Sequence, residues 1–288
     1  MRFTCKSLLF IFLYLFTFSV FSQINTDELV PKNVRIGLDH TTSGFQPCEP
    51  SIAISQKNPN IIIAGSVLDN VYRSTDGGHT WKQKTLESSL GVYGDPCVIS
   101  SPNGDFYFLH LSDPEGKGWS SEMLLDRIVC QHSSNNGKKW SDGGSIGLEH
   151  PKDQDKEWAV VTSDGNTIHA CWTQFDKYDS HLPEDSTIIL CSFSDRKALR
   201  WSTPVRISEK AGDCLDGDET TEGAVPSVGP NDELYVAWAV NESIMFDRSY
   251  DGGKTWLKHD IKAADITGGW SQTVESIGRV NGMPVTAV

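Results

Sequence analysis

The sequence lacks any segment with a sustained helical period, so a helix bundle or an alternating α/β fold is excluded. It also lacks positive charge: 25 Lys and Arg stand against 38 Asp and Glu, a formal net charge of −13. That balance argues against nucleic acid and anionic membrane surfaces as partners. None of its seven cysteines falls in a CxxC or Cys/His pattern, so a zinc site is not expected. No Gly-rich stretch follows a strand and opens a helix, and no Ser/His/Asp or Cys/His spacing is local enough to suggest a nucleophile. Beyond the first 22 residues there is no run apolar enough to span a bilayer.

What is present begins with a leader. Arg2 and Lys6 precede the apolar run Ser7–Phe21, and Val20-Phe21-Ser22 offers a peptidase site. About 15 apolar residues are short of the ~20 that a span needs. The expectation is a cleaved signal peptide over 1–22, a secreted or periplasmic mature chain starting at Gln23, and no membrane insertion afterwards. Export permits disulfides, but the six mature cysteines leave the pairing open, and most read as small buried residues of strands.

The dominant feature is an internal repeat. Ser74-Thr-Asp76-Gly-Gly78-His-Thr-Trp81 returns as Ser249-Tyr-Asp251-Gly-Gly253-Lys-Thr-Trp256. Between them, Ser133, Gly137 and Trp140 keep the same offsets, and a worn copy retains only Ser194 and Trp201. The four serines are 59, 61 and 55 residues apart. Around each lies the same order of short apolar runs and Asn/Gly/Asp turns, as in "PCVISS", "PNGD", "FYFLHLS" and "RIVCQHS". Four antiparallel strands per sixty-residue unit predict the blades of a β-propeller. The boundaries read as blades over 46–92, 93–153, 154–221 and 222–265, after an extension over 23–45. A fifth blade opens over 266–288, with "MPVTAV" as its inner strand. Four blades and one strand leave an unclosed ring, so a truncated reading frame, or closure by another chain, is expected.

The repeated Ser-x-Asp-x-Gly-x-x-Trp pattern resembles the Asp-box (BNR) repeat of the sialidase superfamily, and the resemblance extends over Cys48–Val288. It implies an all-β, sialidase-like propeller with the boxes at the blade periphery, away from the active-site face. The residue chemistry agrees, because an aspartate at a tight turn accepts backbone N–H bonds and glycine supplies the positive φ. Alternating carboxylates of the EF-hand kind are missing, so the box reads as structural.

Chemistry is then expected where the inner strands begin. Glu49-Pro50, Asp95-Pro96, Glu157-Trp158 and Val225-Pro226 read as equivalent openings, three of them with a carboxylate in one register. Asp155, Lys156 and Glu222 stand within three residues of it. Glu49, Asp95, Glu157 and Glu222 are the candidate catalytic residues, as acid, base or cation ligands. Asp213, Asp216 and Asp218, in "GDCLDGDETTEG", are weaker candidates for holding Ca²⁺, and no other cofactor is implied. His110 and His169 fall in second strands, where a satisfied buried histidine is the commoner case. The resemblance implies a glycan, polysaccharide or glycoprotein partner and a glycoside hydrolase-type activity. It also implies an Arg-Ile-Pro motif opening the first blade, where this sequence has Cys48-Glu49-Pro50. Exo-sialidase activity is therefore not expected, and a non-catalytic propeller that binds a polysaccharide or protein at the same mouth stands as the alternative.

Overall fold

The computed structural model describes residues 33–37 and 46–288. The leader over 1–22 and most of the 23–45 extension lie outside the described residues. What is described is all-β, with four four-stranded antiparallel sheets in chain order and one two-stranded hairpin. The first sheet comprises β1 (Ser51–Ile54), β2 (Ile62–Ser66), β3 (Asn70–Ser74) and β4 (Lys82–Thr85). The second comprises β5 (Cys97–Ser100), β6 (Phe106–Leu111), β7 (Ile128–Ser133) and β8 (Gly144–Ile146). The third comprises β9 (Asp153–Val161), β10 (Thr167–Phe175), β11 (Thr187–Asp195) and β12 (Val205–Arg206). The fourth comprises β13 (Glu222–Val228), β14 (Leu234–Val240), β15 (Ser243–Ser249) and β16 (Ile261–Asp265). Each sheet is a simple meander, and the first strands lie side by side: β1 against β5, β5 against β9, β9 against β13. These are propeller blades, with their first strands innermost.

The second strands are covered on both faces and are therefore continuous apolar runs, whereas β4 and β16 are mostly exposed. Hydrophobic cores form between neighbouring blades. Ile63, Val71, Phe106 and Phe108 join the first to the second, Leu109, Cys130, Ile168 and Trp172 the second to the third, and Ile189, Val236 and Trp238 the third to the fourth. The repeat's tryptophan packs against the core shared with the preceding blade: Trp140, Trp201 and Trp256 do so in turn.

The turns explain why the pattern recurs. Ser74 Oγ donates to Asp76 Oδ1 (2.8 Å) and accepts from Gly78 N–H (2.9 Å). Asp76 accepts from Thr80 N–H (2.9 Å) and Thr80 Oγ (2.5 Å), and Trp81 Nε1 donates to the Gly78 carbonyl (2.9 Å). Ser249, Asp251, Gly253, Thr255 and Trp256 repeat this set bond for bond. Ser133 and Gly137 keep the serine and backbone bonds with Asn135 in the aspartate's place, but the Trp140 Nε1 bond to the glycine carbonyl is not made. The worn copy keeps the backbone: Ala198 holds φ 54° where the others have glycine, and Trp201 Nε1 still donates to its carbonyl.

One open question closes and one expectation changes. Cys171 and Cys191, directly opposite on β10 and β11, form a disulfide, while Cys97, Cys130 and Cys214 are buried thiols and Cys48 is exposed. The expected inner strand "MPVTAV" is not one. The hairpin forms earlier, from β17 (Ser271–Val274) and β18 (Ile277–Asn281). Residues 283–288 run beside β13, where Thr286 Oγ donates to the Val225 carbonyl (3.2 Å) and Met283 fills the space over Gly223.

Candidate functional site

Every blade's first strand is entered through the same β-bulge. In the third blade Trp158 pairs with Cys171 and Asp155 with Thr173, so three steps on β9 meet two on β10. In the fourth, Val225 pairs with Ala237 and Glu222 with Ala239. In the first, Ser51 pairs with Gly65, and Val67 N–H donates to the Cys48 carbonyl. In the second, Cys97 pairs with Leu109, and Leu111 N–H donates to the Gly94 carbonyl. The extra residue has positive φ each time: Glu49 (50°), Asp95 (47°), Lys156 (51°) and Gly223 (76°). Bulges re-aim side chains at the rims of barrels and next to active sites, and here four of them ring one mouth.

This corrects the register expected from sequence. Glu49 and Asp95 are equivalent, but their counterparts are Lys156 and Gly223. Glu157 sits one position on, where the first two blades have Pro50 and Pro96, and Glu222 sits one position back. The bulge residue, not the strand's first apolar residue, sets the alignment. The lysine between two acids in "DQDKEW" was the available signal, and a run of like-charged candidates concealed it.

Glu49, Asp95 and Glu157 do meet. With Pro50, Pro96, Lys156, Trp158, Met283 and Pro284 they line a cavity of about 280 Å³. Lys156 Nζ lies 2.7 Å from Asp95 Oδ2 and 3.9 Å from Glu49 Oε1. Burial would raise the Asp95 carboxyl, but the Lys156 charge and hydrogen bond prevail and hold it below the ordinary range. The same acids hold the Lys156 ammonium well above its ordinary value against its own burial. Glu157 is the opposite case. It is 2% exposed, and neither carboxyl oxygen has a hydrogen-bond partner. Burial, reinforced by Asp95, pushes it far up and so favours its neutral, protonated form. Asp155, equally buried, is pushed up to about 8 by burial and by Asp95. One cavity therefore lines up a carboxyl whose pKa is pushed down and one whose pKa is pushed up.

The remaining candidates lie elsewhere. Glu222 is fully buried and lines neither this cavity nor the next one along the mouth. Asp213, Asp216 and Asp218 do not converge on a common point. Asp213 accepts from Thr220 Oγ (2.7 Å), Asp216 from the Tyr178 hydroxyl (2.5 Å) and Asp218 from Ser271 N–H (2.7 Å). No group of three metal-binding side chains forms among the described residues, so the Ca²⁺ expectation for this loop is not supported by its geometry. His110 and His169 are buried, and burial lowers both to about 4.

No protein-family model and no curated protein sequence matches the chain. Solved structures do match in fold. A protein of unknown function from Dyadobacter fermentans aligns with TM-score 0.53 at 16% identity, over 79% of this chain and 70% of that one. The Hadza microbial sialidase Hz136 aligns at 0.52 and 19%, over 74% and 46%. A leech intramolecular trans-sialidase aligns at 0.52 and 11%, over 82% and 54%. The chain thus spans about half the length of the two sialidases. At these identities the likeness is one of fold, a β-propeller shared with glycan enzymes.

Proposed function

We propose that the chain is an exported Asp-box propeller that binds a glycan at the bulge-lined mouth and hydrolyses a glycosidic bond there. The observation carrying this reading is that Asp95, paired with Lys156, and the buried Glu157 line one cavity, where their surroundings push the two carboxyl pKa values in opposite directions. Hydrolysis of this kind needs one carboxylic acid and one carboxylate, and environments that push two such groups apart assign the roles. Glu157 gives its proton to the leaving glycosidic oxygen. Asp95 takes a proton from the water whose oxygen bonds to the anomeric carbon, and exchange with solvent restores both groups. Lys156 is a positioning residue that keeps Asp95 ionised and fixed. The blade repeat and the two sialidase neighbours support glycans as the ligand class, and the leader pattern supports export.

Exo-sialidase activity is not part of the proposal. Cys48 stands where the Arg-Ile-Pro motif has its carboxylate-gripping arginine, with Glu49 beside it, and among the described residues no arginine lines the cavity. A binding-only reading has one observation in its favour, since the short Lys156 contact already occupies an Asp95 oxygen. The two readings part on a reducing-end assay over a panel of oligosaccharides. The enzyme reading expects turnover that falls about 10²–10⁴-fold in both Glu157→Gln and Asp95→Asn. Wild-type protein that binds a sugar without cleaving it would overturn the enzyme reading in favour of binding alone.

A further inference from the structure

On the other side of the Lys156–Asp95 pair lies a second cavity of about 310 Å³. It shares Glu49, Asp95 and Lys156 with the first, so the two adjoin at that ion pair. Its character differs. Tyr93, Trp119 and Tyr178 line it together with Leu68, Leu111 and Asp155. Trp119 is 67% exposed, an unusual position for the largest side chain, and its ring lies 5.3 Å from that of Tyr178.

The backbone before Trp119 and the ring of Tyr178 are each anchored by hydrogen bonds. Trp119 sits in a single 3-10 turn, Gly118–Ser120, whose entry is fixed by Asp113 accepting from Lys117 N–H (3.2 Å) and Gly118 N–H (2.8 Å). Tyr178 N–H donates to Asp153 Oδ2 (2.8 Å), its hydroxyl donates to Asp216, and its ring packs on Phe175 at 5.1 Å. Asp216, a cation-ligand candidate on sequence grounds, thus serves to orient an aromatic ring. An exposed tryptophan beside a cavity with acceptor carboxylates suits a ligand with an apolar face and a hydroxylated edge. A pyranose ring has both.

We propose that this second cavity is a sugar-ring subsite, and that the two cavities together take adjacent rings of a neutral or amino-sugar glycan. The proposal rests on the glycan reading above and adds to it a ring count and a charge class. The charge class follows from the lining. Among the described residues, Lys156 is the only cationic side chain on either cavity, and Asp95 and Glu49 already engage it. A uronate, sialate or sulfated ring finds no free cation there and meets carboxylates instead. Neutral hydroxyls or an ammonium group meet acceptors.

The test is calorimetric titration of the intact chain with cellobiose, lactose, a glucosamine disaccharide and a galacturonate disaccharide, each beside its monosaccharides, at fixed salt. Neutral and amino disaccharides should bind about tenfold more tightly than their monosaccharides, and the galacturonate should gain nothing from its second ring. Trp119→Ala should remove that disaccharide margin while leaving monosaccharide affinity within about twofold, and Trp119→Phe should restore much of it. Because Trp119 is largely exposed, the variant is expected to fold, which an unchanged urea midpoint verifies. Disaccharide binding insensitive to Trp119→Ala, or tightest for the galacturonate, overturns the subsite while leaving the glycan reading standing. Absence of binding by every sugar overturns both.

Discussion

The outer turns and the mouth bulges are the two features that every blade repeats, and carboxylates recur in both. At the turns, Asp76 is half-buried and Asp251 exposed, and nearby serine, threonine and backbone N–H groups donate to them. The Thr80 hydroxyl and N–H, with Ser74, hold Asp76 down to about 2. At the bulges, Asp155 and Glu157 are buried beside Asp95, and their protons are held far above the ordinary range. One residue class thus does two jobs. A carboxylate that meets its donors within a few residues closes a turn. One that the fold carries into a cavity, with a single lysine to share, keeps its capacity for proton transfer.

That contrast can be broken most sharply at Lys156. Lys156→Met leaves Asp95 in the mouth without its cation and should destabilise the chain by about 3–5 kcal/mol in urea denaturation. The double variant Lys156→Met/Asp95→Leu should recover most of that loss, because no uncompensated charge remains. Equal stability of the single variant and the wild type would mean that the ion pair does not organise the mouth.

The pH dependence should then run in opposite directions for the two regions. Asp155 has a raised folded-state pKa, so the native state holds its proton between about 4 and about 8, and stability falls as pH rises through that window. Asp155→Asn should make this limb shallower, an effect on the order of a few kcal/mol, with the raised Glu157 carboxyl supplying the slope that remains. Asp76 has a depressed value, so its contribution is present above about 4 and is lost as pH falls toward about 2. Asp76→Asn should alter only the acid limb. Urea midpoints measured across the pH range would show both slopes, and a common slope would erase the distinction.

The smallest effects concern the turn backbone. Gly137→Ala places a Cβ at φ 70° and 2.2 Å from Ile63 Cδ1, and should cost about 1–2 kcal/mol. Ala198→Gly, at the equivalent position of the worn repeat, relieves a φ of 54° but removes a buried methyl worth about 0.8 kcal/mol. Thermal denaturation should therefore show a clear loss in the first variant and little net change in the second.

The turns were legible in the sequence because their bonds are local. Ser74 reaches Asp76 and Gly78, and Trp81 reaches back to Gly78, so the spacing itself carries the structure. The blades followed, even through the worn copy at Ser194. The mouth was only half legible. Glu49, Asp95 and Glu157 stood out as acids near inner strands, but their register depends on bulges defined by cross-strand pairing, which no local pattern reveals. Lys156 was therefore misplaced relative to Asp95, 61 residues away in sequence and 2.7 Å away in space. Trp119 and Tyr178 meet from loops of different blades, with nothing in either stretch to announce the other. The Cys171–Cys191 pair was recoverable in principle, since the repeat sets the β10–β11 register, but only after the hairpin had been drawn.

The central claim is that the mouth holds a protonated Glu157 beside an ionised Asp95, and infrared difference spectroscopy reads this directly. A spectrum of wild-type protein minus Glu157→Gln at neutral pH should show the carbonyl stretch of a protonated, poorly hydrogen-bonded carboxylic acid. The corresponding Asp95→Asn spectrum should show only carboxylate bands. A carboxylate band in place of the acid at Glu157 would contradict the account, because the mouth would then lack its proton donor.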